Sequence, residues 1–115
     1  MAPVEFEADM AFRTVILAAL VLVLAPAALA ETNRTVVQSG RAFHPGEIAI
    51  ARGDTLTFSN RDEFIHQIYV SADAMHFDSD EQPPGQTVVV KFPVAGTFAV
   101  RCHIHPKMNL TVQVR

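Results

Sequence analysis

The chain has 115 residues, a formal net charge of −3 and a single cysteine. This length allows one small domain with a modest hydrophobic core, and a lone cysteine excludes an internal disulfide bond. The nine basic residues are scattered and form no lysine- or arginine-rich run, so the composition does not favour nucleic-acid binding.

An export signal is predicted at the N-terminus. Arg13 supplies a positive charge, residues 15–24 are all apolar, and Pro26 interrupts the apolar run. Ala28-Leu29-Ala30 then matches the A-x-A pattern of a cleavage site. The apolar run is too short for a membrane-spanning helix, which needs about 20 residues. Residues 1–30 are therefore predicted to be a signal peptide.

The mature domain is predicted to comprise residues 31–115. Residues 1–9 contain acidic residues and no basic one, which is the wrong charge for the start of a signal peptide. Met10 is therefore the better predicted start, and residues 1–9 indicate a mis-assigned start codon. An uncleaved N-terminal anchor is the alternative, because the apolar stretch extends to Ala30. We expect an exported protein, in the periplasm or another extracytoplasmic compartment.

The mature sequence predicts an all-β fold. Segments that alternate between polar and apolar residues, or that are rich in β-branched residues, predict strands at 35–38, 47–51, 55–59, 64–70, 87–92, 97–101 and 110–114. Turn residues separate these segments, and none has a clear helical period. Residues 71–85 are predicted to form a long loop, in which 73–77 could at most form a helical turn. Several short strands at this spacing are typical of a β-sandwich or barrel.

A short segment near the C-terminus carries metal-binding chemistry. Cys102, His105 and Met108 follow the spacing Cys-x2-His-x2-Met between two predicted strands. Thiolate and thioether favour a soft metal, and imidazole suits copper. One cysteine, two histidines and a weak methionine form the ligand set of blue-copper sites, so this loop lacks only a second histidine. The alternative for Cys102 is a buried cysteine that packs as a small hydrophobe.

The second histidine is predicted to be His66. His44 and His76 lie in predicted turns or loops, where an exposed polar side chain is the simplest interpretation. His66 instead follows a polar turn and lies inside a strand-like segment. A β-sandwich can bring such a strand beside the C-terminal loop. The alternative is a core histidine with its hydrogen bonds satisfied.

The mature sequence resembles the cupredoxins, which are small type 1 blue copper proteins. The resemblance covers most of residues 41–114 and is carried by Phe43-His44-Pro45, Gly53-Asp54-Thr55-Leu56-Thr57-Phe58, Asn60-x-Asp62-x3-His66 and Cys102-x2-His105-x2-Met108. The short last motif is similar to that of amicyanin, whereas plastocyanin and pseudoazurin have a longer spacing before the methionine. The resemblance implies a Greek-key β-sandwich of about seven to eight strands.

The resemblance also implies the ligands. His66, Cys102 and His105 would form the strong trigonal set, and Met108 would be the weak axial ligand of one type 1 copper per chain. His103 falls on a variable position of the motif and would not be a ligand.

Two positions depart from the family pattern beside the first ligand. Relatives commonly have proline before this histidine and asparagine after it, whereas this chain has Ile65 and Gln67. The asparagine usually tethers the ligand loop by hydrogen bonds. Gln67, with its longer reach, is the candidate to replace it.

The function implied by the resemblance is one-electron transfer between redox partners, without enzymatic activity. His105 would lie at the surface as the electron port, with Pro106 and Met108 forming an apolar collar. Lys107 would orient an acidic partner, or is simply a solvated lysine. Partners implied by analogy are a quinoprotein dehydrogenase and a c-type cytochrome. We expect a monomer with no membrane span after signal cleavage.

Three other functions remain open from the residues alone. An exported copper carrier or chaperone would use the same soft ligands. A nucleophilic enzyme would pair Cys102 with His103 or His105, although the methionine at the metal-ligand offset disfavours it. A metal-free binding domain of sandwich type is the third alternative.

Overall fold

The computed structural model describes residues 18–25 and 30–115, and these residues form nine strands and no α-helix. The strands are β1 (Asn33–Ser39), β2 (Ala42–His44), β3 (Glu47–Ile50), β4 (Thr55–Asn60), β5 (Ile68–Ala72), β6 (Met75–Asp78), β7 (Thr87–Lys91), β8 (Gly96–Cys102) and β9 (Asn109–Val114).

The strands form two sheets. One has four strands in the order β2-β1-β4-β7, and the other has five in the order β3-β9-β8-β5-β6. β1 pairs with β4 and β3 pairs with β9 in parallel, and the other pairs are antiparallel. The predicted all-β sandwich is confirmed, with nine strands instead of seven to eight.

The core lies between the two sheets and follows from the period of two in the strands. In β4, Leu56 and Phe58 are fully buried, whereas Thr55 and Thr57 on the other face remain partly exposed. Burying one such apolar side chain contributes about 1.5–3 kcal/mol. A one-residue slip of β4 would turn this face to solvent, so the alternation fixes the register.

Two strands lie in segments that the sequence predicted as turn or loop. β2 occupies a predicted turn and pairs with β1. β6 occupies the predicted loop and pairs with β5, where Ala72 faces Met75. The expected helical turn at 73–77 is wrong, because a tight hairpin buries Met75 against the core. One buried residue in a four-residue strand is too weak a pattern to recognise.

The strand predicted at 64–70 is shorter than expected. The regular strand β5 begins at Ile68, and His66 instead forms an isolated antiparallel bridge with Gln82. This places His66 at the end of the sandwich, outside the regular ladder.

The predicted signal peptide falls largely on residues 1–17 and 26–29, which lie outside the described residues, and it stays a prediction. Within residues 18–25 and 30–115, no helix is long and apolar enough to cross a membrane.

The pairing of β8 with its neighbours positions the ligand loop. β8 and β9 are antiparallel, with Arg101 opposite Asn109, so the loop between them closes one end of the sandwich. β5 pairs with β8 through Ile68 and Cys102. That pairing brings the segment before β5, which contains His66, alongside the loop.

Candidate metal centre

Three side chains from two distant parts of the sequence converge at one end of the sandwich. Cys102 Sγ lies 3.7 Å from His66 Nδ1 and 3.8 Å from His105 Nδ1, and the two Nδ1 atoms are 3.2 Å apart. His66 and Cys102 are buried, and His105 is partly exposed. The structure therefore brings together the three residues that the family resemblance implied as the trigonal set.

The three atoms have the spacing and chemistry of a metal site. A point equidistant from them lies about 2.1 Å from each, within the range of about 2.0–2.3 Å for bonds of a first-row ion such as zinc to nitrogen and sulfur. One thiolate and two imidazoles are donors that suit copper. The cluster therefore fits a copper ion without rearrangement of the side chains.

Met108 lies at the end of the same loop. Its side chain is buried, and its backbone N–H donates to the His105 carbonyl at 3.0 Å. This hydrogen bond closes a tight turn around Pro106 and Lys107. The predicted axial ligand is therefore inside the protein at the site end of the sandwich, and its role as a ligand stays a prediction.

A carboxylate orients His66. The Nε2–H of His66 donates to Asp62 Oδ2 at 2.8 Å, and this pair is shielded from solvent, with exposed side-chain fractions of 0% and 7%. A proton on Nε2 leaves the lone pair on Nδ1, which is the atom that faces Cys102 and His105. Asp62 thus selects the tautomer that a metal ligand requires.

Asp62 is itself held by the turn between β1 and β2. The backbone N–H groups of Gly40 and Arg41 donate to its two carboxylate oxygens. Burial alone would raise the pKa of Asp62, but hydrogen bonds from Arg41, His66 and Gly40 outweigh burial and lower this pKa. The carboxylate therefore stays charged and continues to accept the hydrogen bond from His66.

The backbone of His66 is clamped by Gln82. The His66 N–H donates to the Gln82 carbonyl at 3.1 Å, and the Gln82 N–H donates back at 2.7 Å. The buried Asn60 side chain donates to the carbonyls of Phe64 and Gln82 at 2.8 and 2.9 Å. Sequence reasoning missed these two supports. The Asn60-x-Asp62 pattern was a signal for the support from Asn60, whereas Gln82 lies in a predicted loop and gave no signal.

Cys102 is buried and accepts a hydrogen bond from the backbone. The Gln67 N–H donates to Cys102 Sγ at 3.4 Å. The Gln67 carbonyl in turn accepts from the His103 N–H at 2.9 Å. A donor to sulfur stabilises the thiolate and influences the reduction potential of a metal bound to it. These two hydrogen bonds of Gln67 also connect the segment that contains His66 to the segment that contains Cys102.

The Gln67 side chain reaches the ligand loop indirectly. Its amide donates to Asp78 Oδ1 at 3.4 Å, and Asp78 Oδ2 lies 3.0 Å from His103 Nε2. The ring of His103 also stacks on Tyr69, with centroids 3.8 Å apart and an angle of 11° between the planes. Together Asp78 and Tyr69 hold His103, the residue next to Cys102.

His105 lies between the buried cluster and solvent. The edge of Phe64 packs against its ring, with centroids 6.0 Å apart. Burial lowers the pKa of His105, the nearby His66 and Arg41 lower it further, and Asp62 partly opposes them. A lowered pKa favours the neutral imidazole, which is the form that binds a metal.

The remaining histidines lie outside this cluster. His44 Nε2 lies 3.0 Å from the Ser39 carbonyl, and His76 is exposed on β6. Among the residues that the structure describes, His66, Cys102 and His105 are the one group of three such ligand atoms that converge.

Comparison with known proteins places the chain in a family. Residues 30–115 match the model of the copper binding proteins of the plastocyanin/azurin family. The chain belongs to this family. As a plastocyanin/azurin family member it has copper as its cofactor, and the cluster of His66, Cys102 and His105 is consistent with one type 1 copper site.

Individual relatives agree with this assignment. Plastocyanin from Ulva arasakii is 35% identical over 85 residues, which cover 63% of this chain and 87% of that protein. Methylamine utilization protein MauL from Methylophilus methylotrophus is 37% identical over 79 residues, which cover 64% of this chain and 45% of MauL. A solved structure of a reduced amicyanin mutant matches with a TM-score of 0.66 at 25% identity, covering 70% of this chain and 80% of that one. The predicted cupredoxin resemblance is confirmed.

Proposed function

We propose that this protein is an exported one-electron carrier, in which His66, Cys102 and His105 bind one copper ion and Met108 is its weak axial ligand. The observation that supports it most is the compact triangle of one sulfur and two Nδ1 atoms. The distances between these three atoms match those expected around one copper ion.

A copper ion at this site would supply the Cu(II)/Cu(I) couple. The protein's part is to keep the same ligand geometry in both oxidation states, because ligands that do not move make electron transfer fast. Asp62 fixes the ring of His66, and Gln82 fixes its backbone. With copper bound, the Gln67 N–H would stabilise the negative charge of the Cys102 thiolate. Burial of His66 and Cys102 excludes water from the site.

His105 is proposed to be the electron port. Its ring is partly exposed, whereas the other two proposed strong ligands are buried. Ile104, which is 44% exposed, and the exposed Pro106 flank His105 in sequence, and Phe64, which is 40% exposed, packs against its ring. Such an apolar surface excludes water from a contact with a redox partner and brings the partner close to the ligand ring.

The export and the partners are also proposals. The predicted signal peptide supports a periplasmic location. The likeness to a methylamine utilization protein and to amicyanin supports a role with redox partners. By analogy we propose that these partners are a quinoprotein dehydrogenase and a c-type cytochrome. We propose that the mature protein acts as a monomer and has no enzymatic activity.

Voltammetry of the copper-loaded protein tests electron transfer. We expect one reversible one-electron wave that persists over many cycles, and no such wave for Cys102→Ala. His76→Ala is the matched control, because His76 is exposed and lies outside the cluster. An absent or irreversible wave in the wild-type protein would contradict the proposed role.

A copper carrier is the second candidate, since the partial exposure of His105 offers a route for copper exchange. Challenge of the copper-loaded protein with a Cu(I) chelator separates the two functions. A carrier loses copper within the mixing time, whereas the proposed electron carrier retains it over many turnovers.

A further inference from the structure

A surface cleft lies over the exposed edge of His105. It has a volume of about 440 Å³ and is lined by Gly40, Arg41, Ile104, His105, Pro106 and Lys107. This set is called the His105 cleft. Two of its lining residues carry a full positive charge, and none is acidic. The cleft therefore combines apolar walls with a cationic rim at the proposed electron port.

Arg41 is held in place at this cleft. Its φ of 54° lies in the left-handed region, which is uncommon for a residue other than glycine. Its backbone N–H donates to Asp62 at 3.0 Å, which anchors the turn. Its guanidinium lies 3.9 Å from the centroid of the Phe64 ring, in a cation–π contact. The charge is therefore presented beside His105 by a fixed side chain.

Acidic groups near the cleft do not cancel this charge. The side chain of Asp62 is 7% exposed, and its oxygens bind His66 and the backbone N–H groups of Gly40 and Arg41. Glu63, which follows Asp62 in sequence, is exposed and forms no ion pair with another of the described residues. On the other side of the ligand loop, Arg101 donates to the Pro106 carbonyl at 3.1 Å and adds a third cation.

The chemistry of the cleft defines the kind of partner that fits it. Apolar walls suit an apolar patch on another protein, and cations at the rim suit carboxylates that edge such a patch. Arginine is well suited to this contact, because its planar guanidinium can donate two parallel hydrogen bonds to one carboxylate. An acidic partner therefore matches the cleft better than a basic or neutral one.

We propose that the His105 cleft is the docking site for an acidic redox protein, and that Arg41 is the residue that selects it by pairing with a partner carboxylate. This inference rests on the proposed electron-transfer function and adds the charge of the partner to it. Arg41 is the specific choice because Lys107 has no fixing contact among the hydrogen bonds and cation–π pairs of the described residues.

Two small oxidants of opposite charge test whether the charge at the cleft is positive. The reduced, copper-loaded protein is mixed with hexacyanoferrate(III), a trianion, or with tris(phenanthroline)cobalt(III), a trication. In each reaction the protein loses one electron and the complex gains it. At low ionic strength, we expect Arg41→Gln to slow the reaction with the anion about threefold to fivefold and to speed the reaction with the cation. Both differences from the wild-type protein should disappear at high salt, because salt screens the charge.

Arg52→Gln is the matched control. It removes the same charge from an exposed arginine in the turn between β3 and β4, at the opposite end of β4 from Asn60 and the site. We expect it to leave both rates within about 1.5-fold of the wild-type values, because charges separated by more than a Debye length are largely screened. Equal effects of the two substitutions would show that Arg41 acts only through the net charge of the protein, and this would overturn the proposal.

Poly-glutamate tests carboxylate docking. We expect it to protect the wild-type protein from hexacyanoferrate(III), and to protect Arg41→Gln several-fold less. Equal protection of both proteins would overturn the role of Arg41. Absence of a reversible redox wave in the wild-type protein would instead overturn the underlying function, so the two failures are distinguishable.

Discussion

At the scale of single residues, the hydrogen bond from His66 to Asp62 decides which nitrogen faces the metal site. His66 is buried, so its Nε2–H needs an acceptor, and a carboxylate is the strongest one available. The negative charge also makes the imidazole a better donor to a cation. With copper bound at this site, Asp62 would therefore favour Cu(II), the more highly charged state, over Cu(I).

Asp62→Asn is expected to weaken Cu(II) binding by about 10- to 100-fold, the usual loss when the hydrogen-bond partner of a ligand is changed. It is also expected to raise the reduction potential, because the lost negative charge stabilised the oxidised state. Competition with a copper chelator and voltammetry measure the two effects. Asp73→Asn removes an exposed acid from the turn between β5 and β6 and should change neither quantity. Identical behaviour of the two variants would contradict this role of Asp62.

At the scale of strands and turns, Asp54 ties the start of the domain to the turn between β3 and β4. Its carboxylate accepts hydrogen bonds from the backbone N–H groups of Thr32 and Ala51, both at 2.9 Å. These bonds lower the pKa of Asp54, the bond from Thr32 most and that from Ala51 next, against the opposing effect of burial. The ionised form of Asp54 therefore stabilises the fold.

The stability contributed by Asp54 should depend on pH in one direction. Because its pKa is lower in the folded than in the unfolded chain, where it is about 3.9, this contribution is present above about pH 4 and is lost as the pH falls through the folded-state value. Asp54→Asn should lower the urea midpoint at pH 6. The difference in urea midpoint between Asp54→Asn and the wild type should be smaller at pH 3. A deficit that is equal at both pH values would exclude a role for the ionised carboxylate.

The sequence predicted those elements whose pattern is long or chemically distinctive. The alternation in β4, β8 and β9 identified the core strands, and the Cys102 motif identified most of the proposed ligands. β6 was missed because four residues with one buried side chain carry too little periodicity. The clamp on His66 was missed because the bridge to Gln82 depends on a long-range pairing that leaves no local pattern.

At the scale of the whole molecule, metal binding and folding are coupled. His66 and Cys102 are separated by more than thirty positions and meet only when β5 pairs with β8. The unfolded chain therefore does not hold His66 beside the loop that contains Cys102. A small domain with a modest core gains stability from an ion that binds only its folded state.

Copper should raise the thermal stability of the protein. Free copper at 100 times Kd would add about 2.7 kcal/mol, which corresponds to a rise in Tm of about 10–20 °C for a domain of this size. Calorimetry with and without copper measures the shift. Cys102→Ser removes the thiolate and should abolish most of it. An equal shift in both proteins would indicate that copper binds elsewhere.

The central claim is that His66, Cys102 and His105 bind one copper ion as a type 1 site. The most direct test is the visible absorption and EPR spectrum of the protein during titration with Cu(II). We predict an intense blue thiolate-to-copper band that saturates at one copper per chain, is lost in Cys102→Ala and His66→Ala, and persists in His76→Ala. A colourless protein, or one whose band survives the loss of Cys102, would contradict the claim.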